Sequence, residues 1–272
     1  MVINLWAERC GCAPGTLLKG PGVVDTVFSR AINVRMPEGL CLSLVDAGLD
    51  SAPNRVILPP GAMERIRLHP GDIVEVREGR CFFQDTTIYF SPSNDEFSGT
   101  PLLVDTTIEV LQRTLSWGSG ACLTFLGLDK GELITQKVAL AARSLINNPQ
   151  AGYNLIGLGF GFTPAGDDIL TGYCALMRRL GVLNMEWCDN LIAKALAEST
   201  ILSATSIYFA CLGLVQELLD NVLVQLDNPA ALETACRRVI NGVGSTSGSD
   251  LLLGVLIGAH SHYLNISRTM DV

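Results

Sequence analysis

Gly157-Leu158-Gly159-Phe160-Gly161-Phe162-Thr163-Pro164-Ala165-Gly166-Asp167-Asp168 leads into Ile169-Leu170-Thr171-Gly172, and the rest of the chain is arranged around it. Three glycines alternate with bulky apolar residues, then Thr-Pro, a fourth glycine and two adjacent carboxylates follow. Glycine at this density lets backbone take positive φ and approach a ligand closely. From Asp168 to Leu180 the pattern is apolar and helical, so the spacing predicts a helix opening at about Asp168. Asp167 or Asp168 is positioned to cap it. A glycine loop ending at a helix N-terminus suits an anion.

The stretch matches neither common nucleotide loop. Gly161 and Gly166 have P-loop spacing, but Asp167 and Asp168 stand where Lys and Ser or Thr are needed. The dinucleotide fingerprint fails at Thr163-Pro164. A tight turn with a helix cap is the plain alternative, and it needs no ligand.

A second copy lies downstream: Gly242-Val243-Gly244-Ser245-Thr246-Ser247-Gly248-Ser249-Asp250, then Leu251-Leu252-Leu253-Gly254. Aligning Asp250 with Asp168 places Gly248 on Gly166 and Gly254 on Gly172. With a one-residue gap, Thr246 falls on Thr163. Such a loop-helix repeat predicts two helix N-termini converging on one site. The candidate catalytic residues are Asp167 and Asp168. Candidate ligand-binding residues are Gly159, Gly161, Thr163, Gly166, Ser245, Thr246, Ser247 and Asp250. Basic residues are sparse near both loops, so a phosphate there would rely on backbone N–H groups, a distant residue or a metal. The two carboxylates would suit a divalent cation such as Mg²⁺.

GLGFGFTPAGDD with GVGSTSGSD downstream resembles the AllH-type family, long catalogued as a domain of unknown function. Arg30-Ala31-Ile32-Asn33 and Leu40-Cys41-Leu42-Ser43-Leu44 fit the family's opening pattern. The resemblance runs over nearly the whole chain, the TP-x-GDD loop being its specific part. It implies a subunit of an oxamate (oxalurate) carbamoyltransferase in allantoin and purine nitrogen catabolism, working with FdrA-type (AllF) and AllG-type subunits. Carbamoyl transfer builds charge on oxygens, so positioned N–H donors would supply much of the catalysis. A non-catalytic supporting subunit and a small-anion-binding regulatory module are the alternatives.

The 272 residues are enough for one large or two modest domains. The chain is 48% hydrophobic with a mean hydropathy of +0.34, yet no apolar run reaches the ~18 residues of a membrane helix. Surplus apolar surface in such a chain suggests a partner interface. A net charge of −8 argues against nucleic acid. The nine cysteines are scattered without CxxC and read as free thiols. The first residues lack a signal-peptide pattern, so a cytoplasmic location is expected.

Short, turn-bounded strands are predicted over residues 23–90, with turns dominating 1–22. The polar stretch Ser91–Pro101 is the expected boundary between a β-rich domain, 1–100, and a helical domain, 101–272. The expected fold class is therefore α+β, a barrel or sandwich packed on a mostly helical domain. Thr106 and Glu109 are spaced as a capping box. Asn184 and Asn228-Pro229 are helix starts, and one long helix is expected to open at Ser203 or Thr205 and run to about Leu223. Glu198-Ser199-Thr200 and Ser203-Ala204-Thr205-Ser206 form a hydroxyl-rich join that could cradle an oxygen or simply cap a helix. Arg30 and Arg35 beside Asn33 could grip an anion or be ordinary surface arginines. His260 and His262, two apart, do not share a helix face, and Gly118-Ser119-Gly120 is a short loop with no neighbouring signature.

Overall fold

The computed structural model describes residues 3–93 and 102–270, with side chains through Ser267. The chain divides into two compact units, Met1–Glu96 and Phe97–Val272. Most of the expected boundary stretch, Ser91–Pro101, lies outside the described residues.

The first unit is one nine-stranded sheet: β1 Ile3–Trp6, β2 Arg9–Cys10, β3 Gly20–Val27, β4 Ala31–Arg35, β5 Cys41–Asp46, β6 Arg55–Leu58, β7 Ile73–Arg77, β8 Arg80–Phe83 and β9 Thr86–Tyr89. Its order is β1-β9-β8-β7-β3-β4-β5-β6-β2. The two ends of that order are halves of one segment. Ile3 to Trp6 pairs in parallel with β9, and Arg9–Cys10 pairs antiparallel with β6. At the changeover the Ala7 N–H donates to the Tyr89 carbonyl and the Glu8 N–H to the Ile57 carbonyl, both at 2.8 Å. The sheet thus curls until its ends share one strand, the barrel-like alternative among the two expected. β1 and β2 each pair on one side only, so the sheet is a half-barrel whose two ends are tied by that segment. The expectation that turns dominate residues 1–22 is corrected here. Leu5 and Cys10 are buried by this pairing, but two short runs separated by two residues carry too little periodicity to read as strands.

Alternation of side chains fixes the register. In β7, Val74 and Val76 are buried while Ile73 is exposed. Asn33 in β4 is buried, accepting from the Ser43 hydroxyl at 2.8 Å and donating to Thr26 Oγ1 at 2.9 Å. Arg35 and Arg30 form ion pairs with Asp25 and Asp46. This trio is strand architecture and surface pairing.

The second unit is mostly helical: α1 Thr106–Leu115, α2 Ala121–Leu126, α3 Leu133–Leu145, α4 Ala165–Arg179, α5 Met185–Glu198, α6 Ile201–Cys211, α7 Glu217–Leu223, α8 Pro229–Gly242 and α9 Ser247–Met270. Its centre is the pair α4 and α9. Nearly every residue of α4 from Gly166 to Met177 is buried, as are Leu251 to Ile257 of α9; a helix covered all round belongs inside a bundle. Among the described residues no helix is long and apolar enough to cross a membrane.

Asn184, Thr200 and Asn228 cap α5, α6 and α8 through their side chains. The predicted capping box does not form: α1 starts after Asp105 without a side-chain cap, and Thr107 donates to the Leu226 carbonyl at 2.7 Å. The predicted long helix over Ser203–Leu223 is two helices. Gly213 takes φ +85° between them, and the buried Arg179 guanidinium donates to the Gly213 carbonyl and pairs with Asp220. A buried cation holding a turn carbonyl overrides the apolar periodicity that favoured one continuous helix.

Candidate functional site

The crossing of α4 and α9 is set by glycine. A Cβ on Gly172 would lie 2.0 Å from the Leu251 carbonyl oxygen, and one on Gly254 would lie 2.0 Å from the Ile169 carbonyl oxygen. The two clashes are reciprocal: each glycine is four residues past its aspartate, and each carbonyl belongs to the residue after the other aspartate. Only side-chain-free positions let the two backbones approach this closely. The helices begin in the same register, Ala165-Gly166-Asp167-Asp168 and Ser247-Gly248-Ser249-Asp250. Gly166 sits against the Leu155 carbonyl and Gly248 against the Val239 carbonyl, where a Cβ would lie 2.0 and 2.3 Å away. The second copy is therefore a structural repeat about a local pseudo-twofold relation.

Both helices start three residues earlier than predicted. Pro164 precedes α4 without a side-chain cap, so Asp167 and Asp168 are the third and fourth helical residues. The third positions have matching jobs. Asp167 accepts the Gly157 N–H at 2.9 Å and the Ser199 hydroxyl. Ser249 accepts the Ser119 N–H at 3.1 Å. Each residue fastens an incoming loop to the start of its helix. Asp167 is thus engaged on both oxygens, which places it in loop support.

The fourth positions differ. Asp168 and Asp250 are 7% and 0% exposed. Asp168 Oδ2 and both oxygens of Asp250 have no hydrogen-bond partner. Burial pushes the Asp168 carboxyl well above the usual range; the Ser247 and Thr163 hydroxyls oppose the rise, while the charges of Asp250 and Asp167 add to it. Burial pushes Asp250 up to about 7, and the Thr246 hydroxyl and the Ala121 N–H approach near enough to temper that rise without completing a bond to either oxygen. Asp168 and Asp250 are the fourth residues of two helices whose backbones meet one residue further on, at Ile169 and Leu251.

Above them the loops meet. Thr163 Oγ1 and Ser247 Oγ lie 2.9 Å apart, joining residues 84 positions apart in sequence. Thr163, Thr246 and Ser247 are half-buried, Ser245 and Gly161 are exposed, and Gly159 is half-buried. Gly159 adopts φ +137°, where a Cβ would lie 2.5 Å from the Ala165 nitrogen; no other residue fits this turn. Phe160 and Phe162 project at the loop tip, 76% and 55% exposed.

Two contributors lie outside the candidate catalytic and ligand-binding residues. Gly118-Ser119-Gly120 seats the second loop: the Ser119 hydroxyl donates to the Ser245 carbonyl at 2.8 Å, and Gly120, at φ +72°, packs on Thr246. Its two glycines flanking a serine are the available signal, and α2 behind them, six residues long, is too short to show a helical period. The hydroxyl-rich join lies against the first loop. Thr200 Oγ1 caps α6 by accepting the Ser203 N–H and donates to the Phe162 carbonyl at 2.7 Å. Capping and loop support are one function there.

Among the described residues no group of three His, Cys, Asp or Glu side chains is placed to hold a metal, and none of the nine cysteines is in a disulfide. No solved structure matches the chain. Residues 8–95, which hold β2 to β9 of the sheet, match the N-terminal domain of the AllH family. Residues 155–259, which contain both loops, α4 and the buried part of α9, match the oxamate carbamoyltransferase subunit AllH. With the sheet and the paired helices both matched, the chain belongs to the AllH family of oxamate carbamoyltransferase subunits.

Proposed function

We propose that the twin-loop site binds the small amide or anionic substrate of an oxamate carbamoyltransferase. The reaction would transfer a carbamoyl group between carbamoyl phosphate and oxamate. The oxamate amide nitrogen attacks the carbamoyl carbon, the bond to the phosphate oxygen breaks, phosphate leaves, and the nitrogen gives up a proton as oxalurate forms. The convergence of two loops at Thr163 and Ser247, whose hydroxyls reach Asp168, beside two buried carboxyls with three unpartnered oxygens, carries this reading. Buried polar groups are normally satisfied, so oxygens left open beneath a ring of hydroxyls fit a site completed by its ligand. Thr163, Ser245, Thr246 and Ser247 would meet the ligand's carboxylate, with backbone N–H groups of the glycine loops. Asp168, with Asp250, would face its amide, and Asp167 would hold the first loop in place.

The family's standing as one subunit implies others; FdrA-type and AllG-type chains are the proposed partners, in allantoin and purine nitrogen catabolism. A supporting role without chemistry of its own has one observation in its favour, the exposed Phe160 and Phe162 beside the loops. Reconstitution separates the two readings. Oxalurate formation from oxamate and carbamoyl phosphate should require this chain together with its partners. It should be lost with Asp168→Ala while the assembly still forms. Full activity of an assembly carrying Asp168→Ala would leave only the supporting role.

A further inference from the structure

We propose that Asp168 and Asp250 form a proton-sharing pair, one carboxyl protonated and one charged, that recognises a primary amide or carbamoyl group by donating one hydrogen bond to it and accepting another. The inference rests on the reading that the loops bind a small amide, and names the chemistry that would select it.

Geometry supplies the first support. The two carboxyls leave the same position of two helices whose backbones touch one residue further on, at Ile169 and Leu251. Both are buried, and three of their four oxygens lack partners. Neither takes part in an ion pair among the described residues. Two adjacent charged carboxylates without a cation repel strongly in a low-dielectric site, and retention of one proton relieves that repulsion. The raised pKa of each carboxyl has the same origin in burial.

The surroundings suit a proton better than a metal. The polar groups beside the pair are hydroxyls, Thr163 and Ser247 at Asp168 and Thr246 at Asp250, with the Ala121 N–H also at Asp250. A hydroxyl can donate or accept, so it serves either protonation state. A third acidic, histidine or cysteine ligand is absent among the described residues. The titratable groups that face the pair are Asp167 on α4, already bonded to Gly157 and Ser199, and the Cys122 thiol on α2, pushed up to about 12 by burial and by the charge of Asp250. Cys122 is therefore neutral near pH 7.

A protonated carboxyl beside a charged one presents an O–H donor and oxygen acceptors side by side. A primary amide presents the complement, a carbonyl acceptor and N–H donors. A site needing both loses much of its affinity for analogues without the nitrogen, because its own groups are then left unpaired. Oxamate and oxalurate carry such an amide; oxalate does not.

The test uses the full chain with aspartate carboxyls labelled with carbon-13. The wild-type pair should keep one proton at neutral pH and release it in a separate upper step. That step should vanish in both Asp168→Asn and Asp250→Asn, each of which removes the like charge. Calorimetric titration with oxamate should give affinities within about threefold of wild type for either Asn variant, since Asn stands in for the protonated partner. Asp168→Leu and Asp250→Leu should each lose tenfold or more, and oxalate should bind at least tenfold more weakly than oxamate. Two fully ionised carboxylates at neutral pH would overturn the proposal. So would loss of oxamate binding in the Asn variants equal to that in the Leu variants. Stabilisation of the wild type by Mg²⁺, absent in both Asn variants, would assign a cation in place of the proton. If the wild type ignores oxamate, the ligand reading fails, and the carbon-13 titration still decides whether the proton is shared.

Discussion

At the residue scale, two adjacent aspartates have opposite environments. Asp167 satisfies a backbone N–H and a hydroxyl, whereas Asp168 keeps an unpartnered oxygen. Nothing in the letters Asp-Asp distinguishes them; the difference arises from Gly157 and Ser199, neighbours supplied by the fold. Asp167→Ala leaves the Gly157 N–H and the Ser199 hydroxyl unpaired and should cost about 1–3 kcal/mol in denaturant unfolding, with Asp167→Asn closer to wild type. Asp250 leads to a pH prediction. Its pKa is raised from 3.8 to about 7, so between those values the folded chain holds a proton that the unfolded chain has released. Stability contributed by this group is therefore present at acid pH and declines as pH rises toward 7, by at most about 1.4 kcal/mol per pH unit. Comparing wild type with Asp250→Asn isolates it: the difference in unfolding free energy should shift in favour of the variant as pH rises from about 4 to about 7. A difference that is flat across that range would contradict the raised pKa.

At the scale of elements, the repeat was legible because glycine and aspartate recur at fixed offsets from the helix starts. Gly172 and Gly254 fall in register in the sequence and are the two points of backbone contact in the fold. The helix starts were less legible. Pro164 leaves no capping side chain, so the sequence offers the carboxylates as the only caps, whereas they are first-turn residues. The break at Gly213 depends on Arg179, 34 residues away, which local periodicity does not register. The crossing makes its own prediction. A methyl group at Gly172 or Gly254 meets a backbone carbonyl, which cannot swing aside as a side-chain tip would. Gly172→Ala and Gly254→Ala should each cost about 3 kcal/mol, the upper part of the range for overpacked cores. Gly161→Ala is a control for local crowding, because no atom lies within 4 Å of its Cβ position; with φ at +89° it should cost about 1 kcal/mol from backbone strain. Equal losses at Gly172 and Gly161 would mean the helices do not meet as closely as described.

At the scale of the whole molecule, the change from strand to helix was legible because the turn-bounded apolar runs before residue 90 differ in period from the capped helices after it. Closure of the sheet was not, since it depends on one segment changing partners at Ala7 and Glu8, a long-range event. Membership of a family named as one subunit of a carbamoyltransferase implies surfaces that other chains cover. The apolar surplus in the composition gave no location for them. Phe160 and Phe162 provide one: Phe160 is the most exposed large apolar side chain among the described residues, Phe162 is also exposed, and both stand on the loop that carries the candidate site. Two exposed phenylalanines held by a structured loop are a poor arrangement for water and a good one for a protein partner, where aromatic side chains dominate binding. The double variant Phe160→Ser with Phe162→Ser should weaken association with the other subunits by tenfold or more. It should leave the unfolding temperature of the isolated chain unchanged or slightly raised, because neither side chain is buried. Ultracentrifugation of the mixed subunits reads the first quantity and thermal melting the second. Undiminished assembly would remove the loop tip from the interface and leave Phe160 and Phe162 as covers for the ligand, in which case the same variant should bind oxamate more weakly as the isolated chain.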